Sequence, residues 1–297
     1  MDEKITENKK EYFLGVSILI SALIIAGAWI YTAKFEILTG PGSLNDRQFA
    51  ELQSKVISEN GIVLPVVWGD LGAKMTSAGV IDGEKFERLY ASQGGFADEM
   101  KAMLYGENNG GIKITQENSG IILNLLWALG LANKNDILEK GPMVDPQYGG
   151  AGNFASTGGW TIARGDAMAH YSRHSFVVLT PEQQKLVEEV SKNIYRPCCN
   201  NPTYFPDCNH GMAMLGLLEL LASQGIDEDE IYKTALAVNS FWFPENYLTI
   251  ARYLELKSIS WDKADSREIL GYNFSSAAGY LRISKEITPL EKGGSSC

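Results

Sequence analysis

The sequence is 297 residues long, 45% of them apolar and 21% charged, with a formal net charge of −10 at pH 7. This composition is typical of a globular protein and excludes a disordered or collagen-like chain. The acidic balance argues against nucleic-acid binding, because a protein that contacts phosphates needs a basic surface.

Residues 1–11 are polar, and residues 12–31 carry no charge. A helix over 12–31 would be about 30 Å long, which is the thickness of the hydrocarbon core of a bilayer. Tyr12, Trp29 and Tyr31 stand at its ends, where aromatic side chains favour the headgroup region. We therefore predict a single transmembrane anchor over 12–31, which makes the membrane a partner of this chain.

The charges around this segment predict its orientation. Lys4, Lys9 and Lys10 precede it, and only Lys34 follows it closely. The positive-inside rule then places residues 1–11 in the cytoplasm as a tail and the body of the chain outside. Ala26-Gly27-Ala28 also matches a signal-peptidase site, so cleavage of the segment is the alternative. On either interpretation the body of the protein is exported.

A linker is predicted over residues 32–43, and a helical extracytoplasmic domain over 44–290. The spacing of apolar residues favours helices through the first half of this domain, over residues 44–59, 68–78, 83–93, 96–105 and 116–132. Residues 133–160 are irregular and glycine-rich, so any subdivision of the domain is placed there.

The second half carries clearer helix boundaries. Thr180, Pro181 and Gln183 have the spacing of a capping box, and Gly225 is a typical helix terminator. Helices are predicted over residues 160–175, 180–195, 209–224, 227–240 and 244–256, with one or two more over 265–284, followed by a flexible tail over 291–297. The short β-branched runs at 62–67 and 175–180 are not bounded as hairpins. The predicted fold class is all-α, an irregular multi-helix domain behind one N-terminal transmembrane helix.

All three histidines and three of the four cysteines fall between His170 and His210. The part with the most ligands is a loop rich in proline and asparagine, which contains Cys198, Cys199 and Cys208 and ends at His210. Together they make a Cys3His set, which is a usual composition of a structural zinc site. Cys208 lies where a helix is predicted to begin, and the helix N-terminus should lower the pKa of its thiol.

A second set of candidate ligands precedes this loop. Asp166, His170 and His174 follow one another at intervals of four, which on a helix places them on one face. The two imidazoles would then be further metal ligands, and Asp166 would orient one of them from the second shell. Mixed imidazole and thiolate ligands also suit copper. Met212 is a second-shell candidate, although a methionine in an apolar helix is more often core.

The number of cysteines leaves three alternatives. Outside the cytoplasm thiols are normally oxidised in pairs, and three clustered thiols cannot all pair with one another. One of them is therefore free, or it pairs with Cys297, or all three bind a metal ion. A bridge between the adjacent Cys198 and Cys199 would be strained.

Three functions remain compatible with these residues. The first is a membrane-anchored metal-binding or thiol-redox protein, with copper or zinc as the ion. The second is a helical binding or scaffold module in which a disulfide only adds stability. The third is a metal-dependent enzyme of unknown substrate, for which Asp166 or Asp207 is the available general base.

Overall fold

The computed structural model describes residues 46–91 and 96–287. The predicted cytoplasmic tail, transmembrane anchor, linker and C-terminal tail lie outside these ranges. Within these ranges no helix is both long and apolar enough to cross a membrane. From Ala50 onward the described residues form one compact unit, which is mostly helical.

The first half contains six helices and one strand pair among the described residues. In chain order these elements are α1 (Asp46–Val56), β1 (Ile62–Gly69), α2 (Leu71–Ala78), α3 (Gly83–Ala91), α4 (Asp98–Tyr105), β2 (Asn109–Ile114), α5 (Ser119–Ala132) and α6 (Asp136–Lys140). Short 3-10 turns follow α6, over Pro142–Val144, Pro146–Tyr148 and Ala151–Asn153. The helices predicted over this half all form, and those predicted over 68–78, 96–105 and 116–132 begin two or three residues later than predicted.

The second half continues with α7 (Pro181–Ser191), α8 (Asn209–Ser223), α9 (Glu228–Trp242), α10 (Pro244–Leu256), α11 (Ser266–Leu270), α12 (Tyr272–Ser275) and α13 (Ala277–Glu286). The capping box at the start of α7 is confirmed, because Thr180 and Gln183 each accept a hydrogen bond from the other's backbone N–H. The helical stretch predicted over 265–284 is divided into α11, α12 and α13.

The helix predicted over 160–175 is wrong. Only Ala167–Ala169 forms a 3-10 turn, and the remainder is turns and extended chain. Two residues have left-handed backbone angles that an α-helix cannot contain, Gly165 with φ of 78° and Ser172 with φ of 49°. Asp166 accepts a hydrogen bond from the Met168 N–H at 2.9 Å and thereby caps the short turn.

The two strands form an antiparallel sheet, which the sequence pattern does not predict. Leu64, Val66 and Trp68 of β1 face inward, and the Trp68 indole donates to the Met103 carbonyl at 2.7 Å. The register is irregular between Val63 and Val67. Because β2 is rich in glycine and lies forty residues after β1, no hairpin signal connects the two strands.

The centre of the unit is the contact between α5 and α8, the two most apolar helices of the described residues. They approach closely because each has a glycine at the crossing. A Cβ atom on Gly130 would overlap the Met212 carbonyl oxygen, and one on Gly216 would overlap the Leu126 carbonyl oxygen. The α5–α8 pair is the support on which the cysteine loop rests, since α8 begins immediately after Cys208.

A carboxyl group is fully buried beside this helix pair. Glu219 of α8 accepts hydrogen bonds from the side-chain amides of Asn133, at 3.0 Å, and Asn135, at 2.6 Å. No cation of the described residues contacts it. Burial therefore raises the pKa of Glu219 well above its ordinary value, although the two amide bonds lower it.

This raised pKa predicts a specific dependence of stability on pH. The folded state holds the Glu219 proton more tightly than the unfolded state, whose pKa is about 4.3. The free energy of unfolding contributed by this group should therefore fall as the pH rises above about 4.3, until the folded pKa is passed. Urea unfolding of the wild type and Glu219→Gln at several pH values measures this. The free energy of unfolding of the wild type should fall relative to that of Glu219→Gln as the pH rises. A difference between the two proteins that stays constant with pH would contradict the prediction.

Candidate metal centre

The cysteine loop, residues 192–208, is folded back on itself between α7 and α8. Thr203 returns to the start of the loop and donates to the Ile194 carbonyl with both its N–H, at 2.8 Å, and its hydroxyl, at 3.0 Å. The Cys199 carbonyl accepts from the N–H of Ala277 at 2.9 Å, which fixes the loop to the start of α13. This fold brings the first two cysteines of the loop next to Cys208.

The three sulfur atoms form a nearly equilateral triangle. The Sγ–Sγ distance is 3.9 Å from Cys198 to Cys199, 3.7 Å from Cys198 to Cys208, and 3.9 Å from Cys199 to Cys208. The centre of this triangle lies about 2.2 Å from each sulfur, and a zinc–thiolate bond is about 2.3 Å long. A single ion can therefore contact all three sulfurs with only a small displacement from their plane, so this group could hold a metal ion.

A buried arginine lies against two of the three sulfurs. Arg196 is fully buried, and its Nη2 donates to Cys199 Sγ and to Cys208 Sγ, both at 3.2 Å. Its Nη1 donates to the Asn201 carbonyl at 3.0 Å. A Cβ atom on Gly211 would lie 2.5 Å from Nη2, so the absence of a side chain in α8 makes room for the guanidinium. The arginine supplies a positive charge where thiolates need one.

The remaining contacts of Arg196 extend to Asp207. Its Nη2 lies 3.4 Å from Asp207 Oδ1, and the other carboxylate oxygen accepts from the Asn201 side chain at 2.7 Å. Burial raises the pKa of Asp207 against the lowering effect of the Asn201 hydrogen bond. Both carboxylate oxygens are thus engaged with the loop, and Asp207 is a support of the site in this structure.

Cys208 is the thiol best suited to ionise. Its pKa is lowered because the Cys198 and Cys199 thiols hydrogen-bond to it and because Arg196 contacts it, despite its burial. It is also the N-cap of α8, and its sulfur accepts from the Gly211 N–H at 3.4 Å. Hydrogen bonding with the Cys199 and Cys208 thiols raises the pKa of Cys198. The prediction that Cys208 stands at a helix start is confirmed.

His210 is not a member of the group of mutually close ligand atoms, which consists of the three sulfurs. Its ring lies against aromatic side chains of α9 and the following residue, 6.0 Å from the Trp242 ring and 4.4 Å from the Phe243 ring. Burial lowers the pKa of His210 to about 4, so the imidazole is neutral at physiological pH. Among the described residues no side chain hydrogen-bonds to this ring.

His170 and His174 contact one another and are also outside the sulfur group. His170 Nδ1 lies 3.1 Å from His174 Nε2, and the partner of His170 Nε2 is the Arg164 carbonyl at 3.4 Å, not Asp166. The His174 carbonyl accepts from the N–H of Lys134, just after the end of α5. The preceding residue, Asn133, donates a side-chain hydrogen bond to Glu219 of α8. At 1.5 Å per residue, Glu219 lies about 16 Å along α8 from Cys208. The histidine pair therefore lies toward the opposite end of α8 from the sulfurs.

Met212 is fully buried in α8, and its carbonyl oxygen lies in the α5–α8 contact. The glycine-rich segment 146–160 does lie beside the cysteine loop. The Ser156 N–H donates to the Asp207 carbonyl at 3.2 Å, and the rings of Tyr148 and Phe154 pack on Phe205. This segment supports the loop from its outer side.

The functional residue that sequence reasoning missed is Arg196. It stands two residues before Cys198, but nothing in its local sequence distinguishes it from a surface arginine. Its burial follows from the return of the loop over α8, which is a tertiary feature. The cysteines themselves were predicted from their number and their confinement to one loop.

The three thiols of the described residues are free, and Cys198 is the exposed residue among them. The arrangement offers three soft ligands, one buried cation beside two of them, and one accessible edge. Such a site can bind a thiophilic ion or exchange thiols for a disulfide. No protein-family model, no curated protein and no solved structure matches this chain.

Proposed function

We propose that this protein binds a single thiophilic metal ion, copper or zinc, through Cys198, Cys199 and Cys208. The observation that carries the proposal is the set of Sγ–Sγ distances, 3.7 to 3.9 Å, around a common centre. Soft thiolate ligands select Cu(I), zinc and iron–sulfur clusters among the metals that proteins use. In a [4Fe–4S] cluster each cysteine binds a different iron, and in a [2Fe–2S] cluster each iron takes two cysteines, so three sulfurs around one centre fit neither arrangement. The proposal is therefore a mononuclear centre.

Arg196 supports a charged ligand set at this position. Three thiolates around one divalent ion leave one negative charge, and burying a charge without a partner is costly. The fully buried guanidinium lies 3.2 Å from two of the sulfurs and offsets that charge. If the cysteines only formed a stabilising disulfide, an apolar side chain could fill the space that Arg196 occupies. A buried cation therefore favours the metal-binding proposal over the scaffold alternative.

The proposal includes a location. The uncharged run at 12–31 and the lysines before it support a protein held on the outer side of a membrane by one N-terminal segment. Protease digestion of intact cells or spheroplasts tests this, with a tag at each terminus. The C-terminal tag should be digested and the N-terminal tag protected; protection of both tags would contradict the location.

Metal titration of the reduced full chain tests the proposed function. We expect one Zn(II) or one Cu(I) ion per chain, and elemental analysis gives the stoichiometry. Cys198→Ser, Cys199→Ser and Cys208→Ser should each weaken binding by at least about 100-fold, because loss of a supporting residue alone costs 10- to 100-fold. Cys297→Ser is the matched control, since this cysteine lies outside the loop, and it should leave the affinity unchanged.

Two results would overturn the proposal. The first is the absence of stoichiometric metal from the reduced chain at micromolar free zinc or copper. The second is equal affinity of the three cysteine variants and the Cys297→Ser control. Circular dichroism of each variant shows that a lost affinity does not come from a lost fold.

A further inference from the structure

Two of the three cysteines differ from the third in how firmly the fold holds them. Cys199 donates its N–H to the Arg196 carbonyl at 3.2 Å, and its carbonyl accepts from Ala277 at 2.9 Å. The Cys208 carbonyl accepts from the N–H of Met212 in the first turn of α8. The backbone of Cys198, in contrast, has no hydrogen bond to another described residue. Cys198 is therefore the cysteine whose sulfur can move.

Cys198 is also the accessible member of the group. It is exposed, whereas Cys199 and Cys208 are half-buried. Its shortest sulfur contact is Cys208 Sγ, at 3.7 Å. Closing that gap to a disulfide bond of about 2.05 Å requires only a small shift of an exposed turn. The alternative pair, Cys198 with the adjacent Cys199, would close a strained ring.

Arg196 separates the roles of the other two cysteines. It donates to both Cys199 Sγ and Cys208 Sγ at 3.2 Å. When Cys208 is consumed in a disulfide, Cys199 Sγ still has the guanidinium as its partner. The fold therefore gives the three thiols different roles. Cys198 can move, Cys208 lies at a helix N-terminus where Cys198 can pair with it, and Cys199 keeps the Arg196 guanidinium as its partner.

We propose that Cys198 and Cys208 form a reversible disulfide that releases the bound metal ion, while Cys199 remains a thiol. This regulation rests on the proposed function, because it acts on the same metal site. The oxidant is a small-molecule disulfide such as oxidised glutathione. One cysteine thiolate attacks a sulfur of the oxidant, which forms a mixed disulfide and releases the first glutathione thiolate. The second cysteine thiolate displaces the second glutathione, so two cysteine thiols are oxidised and one disulfide is reduced to two thiols.

Loss of the ion follows from the ligand count. Two of the three sulfurs are consumed in the new bond, and neutral disulfide sulfur is a poor ligand for zinc compared with thiolate. One thiolate cannot hold the ion that three thiolates held. The redox state of the Cys198–Cys208 pair thus decides whether the site can be occupied.

The test uses the full chain with Cys297→Ser, which removes the fourth cysteine. Zinc is the probe because it does not itself change oxidation state. The reduced chain is loaded with one zinc ion and treated with oxidised glutathione, while a chromophoric chelator reports the zinc that is released. Remaining thiols are alkylated and assigned by peptide mapping. We expect release of one zinc ion per chain, one alkylated cysteine, Cys199, and full reloading after a reductant is added.

Two further variants in the Cys297→Ser background identify the pair. Cys199→Ser should still form the disulfide and leave no free thiol. Cys198→Ser should form a disulfide at least about 10-fold more slowly, because the backbones of Cys199 and Cys208 are both held. Peptide mapping of the Cys297→Ser chain, which keeps all three loop cysteines, identifies the disulfide even if neither of these two variants folds.

Several outcomes would overturn the inference: a Cys199–Cys208 disulfide, a stable glutathione adduct on Cys198, or zinc that stays bound after oxidation. Failure of the proposed function is a separate result. If the reduced chain binds neither zinc nor Cu(I), the metal proposal fails and ion release fails with it, even when the Cys198–Cys208 disulfide forms. If zinc binds and no disulfide forms, only the regulation is wrong.

Discussion

Replacing Arg196 with methionine is expected to lower the free energy of unfolding by about 3–5 kcal/mol, because it removes one partner of a buried charge group. Methionine is of similar length and apolar, so the loss comes from polar contacts and not from an empty volume. The side chain of Arg196 is fully buried and reaches Cys199, Cys208, Asp207 and the Asn201 carbonyl. Urea unfolding of the reduced chain measures the change.

The same variant is expected to weaken zinc binding by about 10- to 100-fold, as outer-shell substitutions do in other metal sites. Arg252→Met is the matched control. Arg252 is the other buried arginine of the described residues; it pairs with Glu255 at 3.4 Å in α10 and makes no hydrogen bond or ion pair with the cysteine loop. It should lower stability without changing zinc affinity. Unchanged zinc affinity in Arg196→Met would show that the arginine supports the loop and not the ion.

Replacing Gly130 with alanine is expected to destabilise the fold by at least about 3 kcal/mol, which is the upper range for inserting a methyl group into a packed core. The added Cβ would overlap the Met212 carbonyl oxygen and lie 2.9 Å from the Gly216 nitrogen. Both are backbone atoms of α8 and cannot turn aside as a side chain can. The two helices must therefore separate, and thermal or urea unfolding measures the cost.

Gly120→Ala is the control for helix propensity in the same helix. No atom lies within 4 Å of a Cβ built at Gly120, which is exposed in the first turn of α5. Alanine there should be neutral or stabilise by up to about 1 kcal/mol. A loss of stability in Gly120→Ala as large as that in Gly130→Ala would contradict the explanation by close packing. Because α8 carries Cys208 at its start, Gly130→Ala is also expected to reduce zinc affinity.

Helices with local signals could be predicted from the sequence. The capping box of α7 and the apolar runs of α5 and α8 are encoded within a few residues, and the structure contains all three elements. The 160–175 segment has only a repeated spacing of four, with no cap and with one glycine inside. A repeated spacing of four without a helix cap is weak evidence for a helix, because a segment made of turns can carry the same residues at the same intervals.

Strand pairing and buried side chains could not be predicted in this way. β1 was visible as a short apolar run, but its partner β2 is recognisable only through the pairing itself. Arg196 stands in unremarkable local sequence, whereas Glu219 is flanked by leucines, and both are fully buried. Whether a polar side chain is inside depends on which distant segments close around it, and no local pattern carries that information.

The sequence by itself determined the chemistry of the candidate site, since three thiols within one short loop restrict the ligands that can meet there. It also determined a mostly helical fold, because periodicity and caps act over a single turn. Only the tertiary structure decided which candidates converge. The three sulfurs meet around one centre, whereas the histidine pair lies toward the other end of α8 and His210 packs on aromatic rings. The reason is that convergence depends on how the loop returns over α8 and on the buried arginine that holds it there.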